Sequence, residues 1–264
     1  MLKIINKIVH KFLNYFNYKI IPIDNVLNLK LDNLKILLDD DFDDKNLSIE
    51  NFLVFICKNF KNSHSQLFQD LFVHFFLKKK NGVYCEVGAL DGFNISNTYY
   101  LEKYLGWKGI LCEPNKSYYN RLKKKRSNNI IIKKPVYSKN NINVLFAEHD
   151  GGRSEILKKN TKNNFSKNKS NIYYLETTTL NEIFSNHLKK NIDYLSIDTE
   201  GTEYEILKTL DFEKHKPSVI TIEHNYEIKK RNKIYNLLIS KNYIRIFKSI
   251  SRFEDWYVKK NILK

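Results

Sequence analysis

Val83-Tyr84-Cys85-Glu86-Val87-Gly88-Ala89-Leu90-Asp91-Gly92 reads as a short buried strand that breaks into a tight glycine turn, after which Asn94 to Leu105 takes up a helical pattern. Strand, glycine turn and helix in that order form a nucleotide cradle, because small residues let a ligand approach the backbone and a helix N-terminus presents free N–H groups. The spacing is Gly-x-x-x-Gly, not Gly-x-Gly-x-x-Gly, which disfavours a dinucleotide cofactor. The candidate binding residues of the turn are Glu86, Gly88, Ala89, Asp91 and Gly92.

Downstream, Gly109 to Cys112 is a second short strand that ends in Glu113-Pro114-Asn115. Glu113 follows the turn at about the twenty-residue interval that separates a phosphate-type turn from the ribose-binding acid of a βαβ unit. Ser117 to Arg126 reads as a helix and Ile130 to Ile132 as a third strand, whose end places Val136 and Tyr137 where an adenine ring needs a contact. Ile142 to Phe146 and Ile172 to Thr178 alternate as strands, separated by a loop low in apolar residues between His149 and Ser170. Thr179 caps a helix over Leu180 to His187. The strand Ile192 to Ile197 then finishes in Asp198-Thr199-Glu200-Gly201 and leads to a helix over Thr202 to Leu210, and the strand Ser218 to Ile222 ends in Glu223-His224-Asn225. In an open parallel sheet ligands sit outside the carboxyl ends of the strands, so these acidic tips converge on the crevice of Gly88 and Glu113. A helix over Tyr226 to Ile239 and two alternating segments, Tyr243 to Phe247 and Asp255 to Lys259, close an α/β sheet with a mixed edge.

Upstream of the cradle, Ile5, Ile8, Val9, Phe12, Leu13 and Phe16 repeat at helical period among lysines, which predicts an amphipathic helix over about residues 2–21 within an N-terminal helical extension, residues 1–60. Such a helix packs on its own domain, on a partner, or on an anionic membrane. The run Asp39 to Asp44 lacks the alternation, central glycine and closing glutamate of a calcium loop. Leu47 to Phe60 and Gln66 to Lys79 read as two more helices leading into residues 61–264, one catalytic-sized domain. No apolar run approaches the roughly 18 residues that span a bilayer. Three lone cysteines, Cys57, Cys85 and Cys112, suit a reducing compartment and form no zinc set. The expected location is the cytoplasm, with the inner face of a membrane as the alternative. The net charge of +16 attracts polyanions, yet lysine, asparagine and isoleucine are abundant throughout and no nucleic-acid motif is visible.

Taken together, Ser65-Gln66-Leu67-Phe68-Gln69-Asp70, Glu86 to Gly92, Gly106-Trp107-Lys108-Gly109-Ile110 with Glu113-Pro114-Asn115, Ile197 to Glu203 and Glu223-His224-Asn225 give a chain that resembles the FkbM-type family of S-adenosylmethionine-dependent methyltransferases, over about Ser65 to Lys260. The resemblance implies a class I methyltransferase (Rossmann-like) three-layer sandwich with a seven-stranded, mostly parallel sheet and an antiparallel last strand. It implies that Glu86, Gly88 and Asp91 surround the methionine part of the cofactor and that Glu113 binds its ribose. Methyl transfer to a hydroxyl needs a group that removes the proton. Asp198 is the leading candidate, with Glu200 and Glu223 beside it and His224 as the alternative base. Asp198, Glu223 and Asn225 also form a candidate oxygen-rich Mg²⁺ set. The expected activity is O-methylation of a hydroxyl on a glycan, lipid-linked sugar or secondary metabolite. The alternatives are a nucleic-acid ribose methyltransferase and a non-catalytic glycan-assembly or membrane-surface adaptor.

Overall fold

The computed structural model of the chain describes residues 49–149, 152–157, 171–248 and 250–263. The expected amphipathic helix over residues 2–21, the acidic run Asp39 to Asp44 and most of the loop between His149 and Ser170 lie outside the described residues.

β1 (Val83–Val87) is the axis of the molecule, hydrogen-bonded in parallel to β2 (Lys108–Cys112) on one side and to β7 (Tyr194–Ile197) on the other. A strand in this position is covered on both faces, which is why β1 and β7 read as near-continuous apolar runs and not as polar–apolar alternations. Outward, β3 (Ile130–Ile132) continues the sheet beyond β2, and β8 (Val219–Glu223) continues it beyond β7. β10 (Glu254–Lys259) then runs antiparallel between β8 and β9 (Tyr243–Ile246). The strand order is β3-β2-β1-β7-β8-β10-β9, the seven-stranded, mostly parallel sheet with an antiparallel last strand that the sequence implies.

Successive side chains of each strand point to opposite faces, and each face has its own core. Tyr84, Leu111, Tyr194, Trp256 and Val258 meet Phe52 and Ile56 of α1 (Ile49–Asn59), Leu71 and Phe72 of α2 (Gln69–Leu77), Leu101 of α3 (Tyr99–Leu105) and Leu122 of α4 (Lys116–Lys125). Cys85, Ile110, Leu195, Ile197, Ile220 and Ile222 meet Phe184 of α5 (Leu180–His187), Leu207 of α6 (Glu203–Leu207) and Leu238 of α7 (Ile228–Ser240). Two covered faces make the three layers. Among the described residues no helix is long and apolar enough to cross a membrane, and the three cysteines are unpaired.

Three features differ from the sequence expectation. The helix expected from Asn94 begins only at Tyr99. The intervening N–H groups are claimed by carboxylates: Asp91 accepts from the amides of Phe93 and Asn94 at 3.0 and 2.8 Å, and Glu86 from that of Asn97 at 2.7 Å. Side-chain acceptors of this kind compete with helical hydrogen bonding. Secondly, the alternating segments on either side of the apolar-poor loop do not join the main sheet. β4 (Asn143–Glu148) pairs antiparallel with β5 (Glu155–Ile156) and with β6 (Asn171–Glu176) in a separate three-stranded sheet. The helix expected over Thr202 to Leu210 is likewise shorter, limited to α6.

Candidate active site

The pairing register decides which side chains share the carboxyl edge of the sheet. Val87 stands opposite both Cys112 and Ile197, and Ile197 opposite Ile222. The next residues, Gly88, Glu113, Asp198 and Glu223, therefore emerge side by side. They line a cleft of about 430 Å³ whose walls also carry Gln66, Leu90, Ile95, Pro114, Val136 and Phe146, with Arg153, Ile156, Glu200, Asn225 and Phe253. That volume falls within the ordinary range of cofactor sites, about 300–1,000 Å³.

Gly88 is required by the sheet itself. Its φ is +87°, and a Cβ there would lie 1.8 Å from the carbonyl oxygen of Asp198. Its N–H, like that of Ala89, donates to the carbonyl of Cys112, at 3.0 and 3.1 Å. The turn thus ties three strand ends together and does not hold its amides free. Glu113 receives N–H donors from Leu90 at 2.9 Å and Asn115 at 2.8 Å. Burial pushes its carboxyl up to about 8, against those two donors, and Glu148 adds to the rise. Leu90, Val136, Phe146 and Ile156 supply an apolar wall beside it.

At the other end of the cleft, carboxyl oxygens of Asp198 and Glu223 lie within 4.8 Å of each other. Burial pushes both well above the carboxylate range; the negative charges of Glu254, Glu200 and Glu203 add to the rise at Asp198, and Asp198 itself heads the neighbours acting on Glu223. Two carboxylates this close resist ionising together, which favours a protonated form at this end of the cleft. Glu200 has φ of +57° and Asn225 of +50°, and the Asn225 amide bridges them by donating to Glu223 at 2.8 Å and Glu200 at 3.3 Å. Left-handed backbone in non-glycine residues costs on the order of 1–3 kcal/mol and gathers at functional sites.

Several residues selected from the sequence hold this edge without lining it. Glu86 is buried, and it accepts from Ser96 Oγ at 3.0 Å, Thr98 Oγ1 at 2.5 Å and the Asn97 amide. Asp91 accepts from Asn94 and from Lys125 Nζ, both at 2.7 Å. Both carboxylates are turned into the loop after β1, not toward the cleft. Ala89 packs in the core, and a Cβ on Gly92 would meet Leu122 at 2.4 Å. Asn115 is the cap of α4, accepting from the amides of Ser117 and Tyr118, and Tyr137 stands outside the lining while its neighbour Val136 is in it. His224 is corrected from candidate base to structural residue. It is 1% exposed, its Nδ1 accepts from the Tyr226 amide at 3.0 Å, and its Nε2 is bonded to the carbonyl of Glu254 at 3.1 Å. Burial lowers its pKa, so it is a neutral ring with both nitrogens engaged.

The Mg²⁺ set is revised too. Oxygens of Asp198, Glu203 and Glu223 come within 4.8 Å of one another, whereas Asn225 turns an N–H toward Glu223. Glu203 is already neutralised by Lys230 at 2.8 Å, and it accepts from the amides of Thr199 and Gly201. The expected trio of Asp198, Glu223 and Asn225 is therefore not the set of oxygens the fold brings together, and with Glu203 held by Lys230 the residues present do not offer Mg²⁺ a free acidic trio.

Other residues come to the cleft by tertiary structure alone. The turn of Ser63 to Ser65 is held by Asp70, which accepts from Ser63 Oγ and Ser65 Oγ at 2.7 Å, and Gln66 follows it into the cleft. The carbonyl of Phe253 accepts from the amides of His224 and Asn225 at 2.8 and 3.0 Å, which fastens the β9–β10 connection to the tip of β8. Tyr226, 61% exposed, sets its ring edge-on to Phe253 at 6.5 Å.

The family model described as the methyltransferase FkbM domain matches residues 86–253. The chain belongs to the FkbM methyltransferase family. No curated protein matches the chain in sequence. Among solved structures, methyltransferase FkbM from Methylobacillus flagellatus is similar with a TM-score of 0.46 and 11% identity, over 89% of this chain and 60% of that one. This FkbM chain thus spans less than two thirds of the length of that neighbour. An O-methyltransferase from Bacillus cereus, in complex with SAH, gives 0.41 and 11% over 88% and 89% of the two chains. The human methyltransferase 10 domain containing protein gives 0.43 and 12% over 74% and 82%.

The residues of the cleft fit the FkbM enzyme's donor. An apolar wall beside an acid at the tip of β2 suits an adenosine.

Proposed function

We propose that this FkbM methyltransferase acts on a hydroxyl group of an uncharged acceptor, a glycan, a lipid-linked sugar or a secondary metabolite. The observation that carries the reading is the close pair of carboxyls, Asp198 and Glu223, whose oxygens lie within 4.8 Å of each other in the donor cleft. An alcohol is a poor nucleophile until its proton is removed, and a carboxylate whose basicity is raised by burial is suited to removing it. Acids also dominate the lining: Glu113, Asp198, Glu200 and Glu223 face a single described cation, Arg153. Arg153 is thus the one cation among the described lining residues that could meet a phosphate, which argues against the nucleic-acid reading.

S-adenosylmethionine supplies an electrophilic methyl group and leaves as a neutral thioether. Glu113 would accept hydrogen bonds from the ribose hydroxyls, and Leu90, Val136 and Phe146 would cover the base. Asp198 accepts the hydroxyl proton as the new C–O bond forms. Glu223, held by Asn225, stands beside Asp198. Phe253, with Tyr226 edge-on to it, and Gln66 flank the acceptor side. Substituting Phe253→Ala is expected to raise acceptor KM by about tenfold, the loss of one buried aromatic contact, while calorimetry shows S-adenosylhomocysteine affinity unchanged. A parallel loss of cofactor affinity would move Phe253 to the donor side.

Donor binding carries a pH signature. Glu113 is raised to about 8 in the free protein, and its ionised form is the better acceptor for the ribose hydroxyls. Affinity for S-adenosylhomocysteine is therefore expected to rise with pH up to about 8 and to fall roughly tenfold per unit below it. Glu113→Gln should weaken binding and flatten this profile; titration calorimetry from pH 6 to 9 measures both.

The reaction itself is tested with tritium-labelled S-adenosylmethionine and extracts of cells lacking the protein. Label should enter the glycan or lipid fraction and resist mild alkali, as an ether does and an ester does not. Label confined to RNA or protein would reject the proposal.

A further inference from the structure

From Lys116 to Lys139 the chain runs for 24 residues without an aspartate or glutamate. This block is α4, the edge strand β3 and the connection beyond it. Three of its cations have assigned work. Arg126 is buried, Lys125 pairs with Asp91, and Lys134 pairs with Glu176. Lys116, Arg121, Lys123, Lys124, Lys133 and Lys139 are exposed and make no ion pair with a carboxylate of the described residues. Lys133 Nζ stands 5.3 Å from the ring centre of Tyr119, so the strand side and the helix side form one continuous basic face.

We propose that this α4–β3 face docks on an anionic bilayer surface. Clustered cations with free charge are attracted to acidic headgroups, and Ile130, 36% exposed on the edge strand, places an apolar side chain among them, the combination that favours an interface. Single-stranded nucleic acid is bound by basic grooves whose aromatic rings are open for base stacking. Here the rings carry the protein's own cations, with Arg121 at 5.0 Å from the centre of Tyr118 and Lys133 over Tyr119. The face adjoins the cleft through Pro114, Pro135 and Val136, while the cleft itself is acidic. A bilayer lying on this face meets the cations and leaves the cleft mouth at the membrane surface. The proposal stands on the surface alone and does not depend on the identity of the acceptor.

The test uses the full chain with vesicles of phosphatidylcholine, and of phosphatidylcholine with one third phosphatidylglycerol. The wild type is expected to co-sediment with the anionic vesicles only. The triple reversal R121E/K123E/K124E should lower its partition coefficient on the order of 100-fold. The control K189E/K190E/K229E carries the same change in net charge on other exposed lysines and should stay within about threefold of wild type, since screened charges act locally. Melting temperature and S-adenosylhomocysteine binding report that both variants are folded. The proposal is overturned if the wild type ignores anionic vesicles or if both variants lose binding equally. It is also overturned if the patch variant keeps its vesicle binding and loses affinity for a single-stranded RNA probe.

Discussion

Asp198→Asn is expected to reduce methyl transfer by about 10²–10⁴-fold, the usual contribution of a positioned general base, with little change in donor affinity. The asparagine keeps the shape of the side chain, but it has no basic site for the hydroxyl proton. Asp198 also occupies the end of β7, where its amide donates to the carbonyl of Val87 at 3.0 Å and its carbonyl faces Gly88. Those backbone contacts survive the substitution, so folding and the cradle are preserved. Incorporation of labelled methyl groups into the extract measures the rate, and calorimetry with S-adenosylhomocysteine measures the binding. A variant that binds the donor and transfers methyl groups at wild-type rate would remove Asp198 from the mechanism. Loss of binding in step with loss of rate would place it in the donor site instead.

Arg126→Ala is expected to destabilise the protein by about 3–5 kcal/mol, the range for removing one partner of a buried charge network. The guanidinium is 1% exposed and binds Glu102, the carbonyl of Gly92 at 2.7 Å, Tyr84 Oη at 2.7 Å, Thr98 Oγ1 at 3.1 Å and Ser96 Oγ at 3.3 Å. Ser96 and Thr98 in turn donate to Glu86, whose pKa is raised by burial and held down by Arg126. Without the arginine, Glu86 is a buried carboxylate with no cation beside it. For a chain of this size the melting temperature should fall by roughly 10 °C. The deficit has a sign in pH. A carboxyl raised on folding stabilises the native state below its unfolded pKa, and that contribution is lost as pH rises through the folded value. Removing Arg126 raises Glu86 further, so the deficit should be smaller near pH 4.5 than at pH 8. Thermal unfolding at the two values measures it, and a pH-independent deficit would mean that Arg126 acts by packing alone.

The order of elements along β1, β2, β7 and β8 was legible because each strand is a short apolar run that ends in Gly, Pro or an acid. The same logic misassigned individual acids. Glu86 and Asp91 sit in the most recognisable stretch, yet they anchor the loop at residues 93–98, and sequence spacing does not distinguish a carboxylate that binds a ligand from one that binds the next turn. His224 follows a strand end like any catalytic histidine. Its neutrality comes from Tyr226 and Glu254, and Glu254 lies thirty residues away on an antiparallel strand. Phe146, Ile156 and Phe253 had no signal, since they arrive from the small second sheet and from the β9–β10 connection.

Local pattern by itself determined an α/β sheet and the glycine turn at Gly88, because strand ends and glycine turns are encoded within a few residues, while the three-layer sandwich and the family followed from the resemblance of the combined motifs. Only the tertiary structure decided which acids face the cleft and which hold its frame. It also decided that the carboxyls of Asp198 and Glu223 meet and are both raised by burial, because that depends on the Ile197–Ile222 register and on the packing around them. The basic α4–β3 face belongs with these: its charges are in the sequence, while the exposure of six of them, their lack of acidic partners among the described residues and their position beside the cleft are properties of the packed chain.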